Sequence, residues 1–168
     1  MKSRYQHQEG QPFHISIGAV VVNGDGEILV HKRERARAPE QFGDNFIDRD
    51  EVYILMRESL EEEETIVECV LRGVREEFGC TGTVGKYLGA VQATVPSRTG
   101  PMEKTTPYFL VTDVQEVGPR EEDNESFSVL EWHPAEFLRE RMVGQGGAIR
   151  PDLDESRIIE AYIRYGRG

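Results

Sequence analysis

The chain predicts an α/β fold on three observations. Residues 14–22, His-Ile-Ser-Ile-Gly-Ala-Val-Val-Val, are rich in β-branched residues and read as a buried strand. Val67, Val70, Leu71, Val74 and Phe78 recur at steps of three and four, which lines one face of an α-helix. Further strand-like runs at 83–94, 108–114 and 127–132 precede a closing helical pattern at Ile158, Ile159, Tyr162 and Ile163. No internal repeat or linker divides the chain, so residues 13–168 are expected to form one domain. Residues 1–12 are polar, lack the apolar core of a signal peptide, and are expected to be a flexible lead-in.

In chain order, Asn23-Gly24-Asp25-Gly26 predicts a tight turn, and residues 27–31 the partner strand of a hairpin. Lys32, Arg33, Arg35 and Arg37 follow as a basic cluster in an acidic chain. Lys32 and Arg33, nearest the strand end, are candidate phosphate contacts, since cationic side chains pair with phosphate oxygens. A solvated loop is the plainer reading of the same residues. Residues 36–51 predict a loop longer than the usual connection. The apolar run 52–56 predicts a strand feeding directly into the acidic segment that follows.

Thr65 is placed to cap the central helix, with Glu68 three residues on to complete a capping box. Gly79 supplies the left-handed residue past its end. Arg72 and Glu76 lie four apart and can pair. Gly73 costs the helix about 1 kcal/mol relative to Ala, and such a glycine often marks close approach of another backbone or a ligand. Beyond the helix, 97–104 predicts a turn-rich loop carrying Arg98 and Lys104, 115–125 is acidic, 134–142 predicts a short helix, and Asp154 opens the last one.

A net charge of −11 argues against a nucleic-acid-coating protein and against polybasic attachment to membranes. No apolar run is long enough to span a bilayer. Cys69 and Cys80 lack metal-ligand spacing, and the simplest compartment is the cytoplasm. The four histidines offer no nucleophile-elbow context, and neither a phosphate loop nor a dinucleotide fingerprint is present. Adjacent carboxylates at Glu76 and Glu77 on a rigid helix suit a hard cation, although an acidic face is more often simply solvated.

Residues 58–80 resemble the Nudix box, a pattern of Gly, five residues, Glu, seven residues, Arg-Glu, an aliphatic, any residue, Glu-Glu, any residue, Gly and an aliphatic. Glu64, Arg72, Val74, Glu76, Glu77, Gly79 and Cys80 fall in register. Two positions depart from the pattern: Glu58 stands for the opening Gly, and Gly73 for the Glu after the Arg. A Pro-Gly-Gly segment usual before the box is replaced by residues 52–57.

The resemblance implies a Nudix-type α/β/α sandwich with a mixed β-sheet. It implies metal-dependent hydrolysis of a pyrophosphate linkage in a nucleoside diphosphate joined to another moiety, with Mg²⁺ or Mn²⁺ as cofactor. Glu76 and Glu77 match metal ligands, Glu64 a supporting ligand, and Arg72 the residue that orients the glutamates. Glu125, in the acidic segment, is the candidate for a further ligand or base. Glu58 is a candidate to replace the carboxylate missing at Gly73. The alternative is a catalytically impaired Nudix-like module that binds a nucleotide without turning it over. The partner is a small nucleotide in either case. Many members dimerise, which makes a homodimer possible here.

Overall fold

The computed structural model describes residues 13–37, 39, 49–121 and 128–167. The lead 1–12, most of the expected loop at 36–51, and Glu122, Glu125 and Phe127 lie outside the described residues.

The sheet is mixed. Strand β1 (Phe13–Val22) runs parallel to β6 (Gly100–Glu116), which pairs antiparallel with β5 (Cys80–Ser97). On its other edge, β1 meets β2 (Ile28–Glu34) only at the hairpin end, through Val21↔Leu29 and Val22↔Ile28. The two strands then part. The chain from β3 (Glu51–Ile54) to β4 (Met56–Ser59) fills the fork, with β3 on β2 and β4 on β1. Strand β7 (Val129–His133) covers the far edge of β2.

The expected single strand at 52–56 is thus two strands broken at Leu55, where the chain changes partner. At this crossover side chains accept backbone N–H groups that need partners in the interior. Gln145 Oε1 accepts from Tyr53 at 2.9 Å, and Glu155 Oε1 accepts from Leu55 at 2.9 Å. The loop expected at 97–104 is also corrected. The β5–β6 ladder continues to Ser97↔Gly100, so only Arg98 and Thr99 make the turn.

Helices cover both faces, giving the expected α/β/α sandwich. Helix α1 (Ile66–Phe78) packs Val70, Val74 and Phe78 on Ile17, Ala19, Val21, Met56 and Val111. Helices α2 (Ala135–Met142) and α3 (Ser156–Ala161) pack Leu138, Met142, Ile158 and Ile159 on Val20, Val30, Leu55, Tyr108 and Leu110. Strand β1 is buried on both faces from Ser16 onward, which explains its continuous apolar run rather than an alternating one. Among the described residues no helix is long and apolar enough to cross a membrane.

Candidate active site

The site is built on α1, and its local sequence fixes both ends of that helix. The Thr65 hydroxyl accepts the Glu68 N–H, and the Glu68 carboxylate accepts the Thr65 N–H, a complete capping box. At the far end Gly79 is left-handed, with φ of 66°. A side chain there would strike the carbonyl of Gly118, because residues 117–121 fold over the helix end. The Glu121 N–H reaches the Glu76 carbonyl at 2.8 Å, which holds Glu121 at the end of α1.

Arg72 gathers the acidic residues. Its Nε and Nη2 donate to the two oxygens of Glu64 at 2.7 and 3.0 Å, a bidentate pair. Nη1 lies 3.4 Å from Glu76, 3.5 Å from Glu58 and 3.7 Å from Glu61, and Nη2 donates to the Ser59 carbonyl at 2.8 Å. The Arg72 hydrogen bond holds the Glu64 carboxyl below the usual range. Burial pushes Glu58 up, against the pull of Arg72. Cys69 packs beneath, and burial raises its thiol far above the usual value, so it is an inert core residue.

Glu77, the next residue along the helix, has a histidine as partner. It is buried, with one oxygen 2.7 Å from Nε2 of the buried His31. His31 Nδ1 lies 2.7 Å from the Ser128 hydroxyl, which accepts from Arg120 at 3.0 Å. The chain is satisfied when Arg120 donates to Ser128, Ser128 to Nδ1, and an Nε2–H to Glu77. Sequence reasoning missed His31, Ser128 and Arg120, because they lie far from α1 in the chain and carry no spacing signal. Glu61 is exposed, yet within reach of Arg72.

Of the expected site residues, Glu64, Arg72 and Glu76 come together, and Glu77 is held by His31. Lys32 and Arg33 lie on β2 itself, not after it. Lys32 sits among Glu34, Glu51 and Glu131, at 3.2, 3.5 and 3.6 Å.

Among the described residues, no three His, Cys, Asp or Glu side chains converge as a ready-made metal cage. The donors are nonetheless carboxylate oxygens, the chemistry a hard divalent ion takes. Glu58, Glu61, Glu64 and Glu76 face a single guanidinium, an excess of negative charge that a cation would offset. The residues therefore fit a Mg²⁺ or Mn²⁺ ion in donor type.

The family model of the NUDIX domain matches residues 12–153, and the chain belongs to that family of hydrolases. Among solved structures it is similar to the E. coli ORF135 protein, with a TM-score of 0.62 and 18% identity over 96% of this chain and 98% of that one. A NUDIX hydrolase from Nitrosomonas europaea follows at 0.59 and 19%, covering 92% and 90%. A structure described as an ADP compounds hydrolase scores 0.57 at 10% identity, covering 90% and 73%. At these identities the likeness speaks to fold. No curated protein matches the sequence.

Proposed function

We propose that the protein hydrolyses a pyrophosphate linkage in a nucleoside diphosphate derivative, with Mg²⁺ or Mn²⁺ at Glu64, Glu76 and Glu77. The observation that carries this reading is the Arg72 cluster, where one cation positions carboxylates in excess of its own charge. A bound divalent ion would neutralise the pyrophosphate and lower the pKa of the attacking water. The protein's part is positioning. Arg72 fixes Glu64 and Glu76, and His31 fixes one oxygen of Glu77, as partners behind ligating carboxylates do. Glu125 is proposed as the base, and Lys32 and Arg33 as phosphate contacts.

The test is release of phosphate or nucleoside monophosphate from a panel of nucleoside diphosphate derivatives, ADP-linked compounds included, with Mg²⁺ and with Mn²⁺. Glu77→Gln is expected to lower turnover by about a hundredfold or more, since the amide cannot supply the charge the ion needs. Gly73 favours a second reading, a nucleotide-binding module without turnover. That reading gains if the panel yields no product while a nucleotide raises the melting temperature.

A further inference from the structure

We infer that Glu58, on strand β4, supplies the carboxylate that α1 lacks at position 73, so that the acidic set is drawn from strand and helix together. This rests on the metal-dependent reading above.

The helix meets the strand at this point without space between them. A Cβ at position 73 would lie 2.6 Å from Met56 Sδ and 3.0 Å from Glu58 Cβ. The sulfur is the far end of a flexible side chain and can move. The Glu58 Cβ is fixed to a paired strand, opposite Ile17 of β1, and cannot move far. Side chains at 58 and 73 therefore compete for one volume. The two departures from the box pattern are the two partners in this contact. Glu58 occupies the position where the pattern has Gly, and Gly73 the position where it has Glu. The exchange keeps one carboxylate at the contact and one glycine to admit it.

The carboxylate so moved stays within the cluster. Glu58 Oε1 lies 3.5 Å from Arg72 Nη1, sharing that guanidinium with Glu64 and Glu76. The same oxygen accepts the Ser59 N–H at 3.0 Å, which sets the rotamer. The side chain is 22% exposed, so an ion can reach it from solvent. A residue that only braced Arg72 would affect stability. A ligand would affect ion affinity.

Mn²⁺ binding separates the two, measured from the spectrum of the free ion by electron paramagnetic resonance, without substrate. Glu58→Gln keeps the shape and the Ser59 contact and is expected to bind Mn²⁺ about tenfold or more weakly than wild type. The remote Glu140→Gln is expected to bind as wild type does. The exchanged chain, Glu58→Gly with Gly73→Glu, is expected to recover most of the affinity lost in Glu58→Gln. Wild-type affinity in Glu58→Gln overturns the inference and leaves the proposed function standing. An exchanged chain that misfolds, or binds no better than Glu58→Gln, overturns the reciprocity of the two positions. Absence of Mn²⁺ binding by the wild-type protein overturns the inference and the metal-dependent reading together.

Discussion

Two charged clusters lie on opposite faces of the sheet, rooted in neighbouring residues of β4. Glu58 turns toward α1 and Arg57 toward the C-terminal segment, as the pleat of a strand requires. On the α1 side, four carboxylates share Arg72, with side chains from 11% to 66% exposed. On the other side, Arg57, Lys104 and Arg150 surround Asp152, and Arg57 also approaches the fully buried Glu155. Glu155 additionally accepts the Leu55 N–H and the Tyr108 hydroxyl. The second cluster is nearly balanced and closed, and it ties the C-terminal segment to the sheet at the β3–β4 crossover. The first is unbalanced and reachable. Proximity of charges is common to both; excess charge with access to solvent distinguishes the candidate site.

The largest expected effect breaks the closed cluster. Glu155→Ala leaves the Leu55 N–H and the Tyr108 hydroxyl without their acceptor in the interior and removes one of the two carboxylates beside Arg57. It is expected to cost about 3–5 kcal/mol of stability, the range for removing one partner from a buried charged pair. Urea denaturation measures this. A loss below about 1 kcal/mol, the level of an exposed ion pair, would remove the contrast between the clusters.

The sequence made the open cluster far more legible than the closed one. Thr65, Glu68, Arg72, Glu76 and Gly79 sit on a single helix, and helical spacing carries local geometry directly into the chain. Glu58 and Glu64 lie just before it. The closed cluster joins Arg57 to residues about a hundred positions later, and nothing in local pattern relates them. His31 and Glu77, 46 residues apart, escaped for the same reason. The break at Leu55 was hidden because it falls inside the continuous apolar run 52–56, and periodicity does not reveal a change of partner. Gly73 read as a flaw in a helix; its cause is the strand packed against it.

A smaller effect sharpens the closed cluster through pH. Burial, then the neighbouring Arg57, lowers the Lys104 ammonium to about 8, with Asp152 opposing the shift. In the unfolded chain a lysine titrates near 10.4. Between these values the unfolded chain binds a proton that the folded chain has released, so stability rises with pH across the window. Below it, the charged ammonium is a full liability. Lys104→Met is therefore expected to be more stable than wild type near neutral pH by on the order of 1–3 kcal/mol. The advantage should fade as pH climbs through the window. Urea midpoints for both proteins over a pH series provide the check, and a constant difference would show that Lys104 is not held in this way.

The smallest expected change in stability is at the centre of the open cluster. Arg72→Met leaves Glu58, Glu61, Glu64 and Glu76 facing one another and the Ser59 carbonyl without this donor. Water reaches these groups, so the loss is expected to be about 1 kcal/mol. It should shrink in high salt, where a Debye length of about 3–8 Å screens the repulsion. The loss in Glu155→Ala should not shrink, because its unpaired groups are buried. Mg²⁺ should restore more of the Arg72→Met loss than NaCl at equal ionic strength, since an ion bound among the carboxylates favours the folded state by mass action. Equal recovery by the two salts would mean that the carboxylates are only screened and offer no site. A loss as large and as salt-insensitive as that of Glu155→Ala would make Arg72 a structural bridge and erase the functional distinction between the two faces.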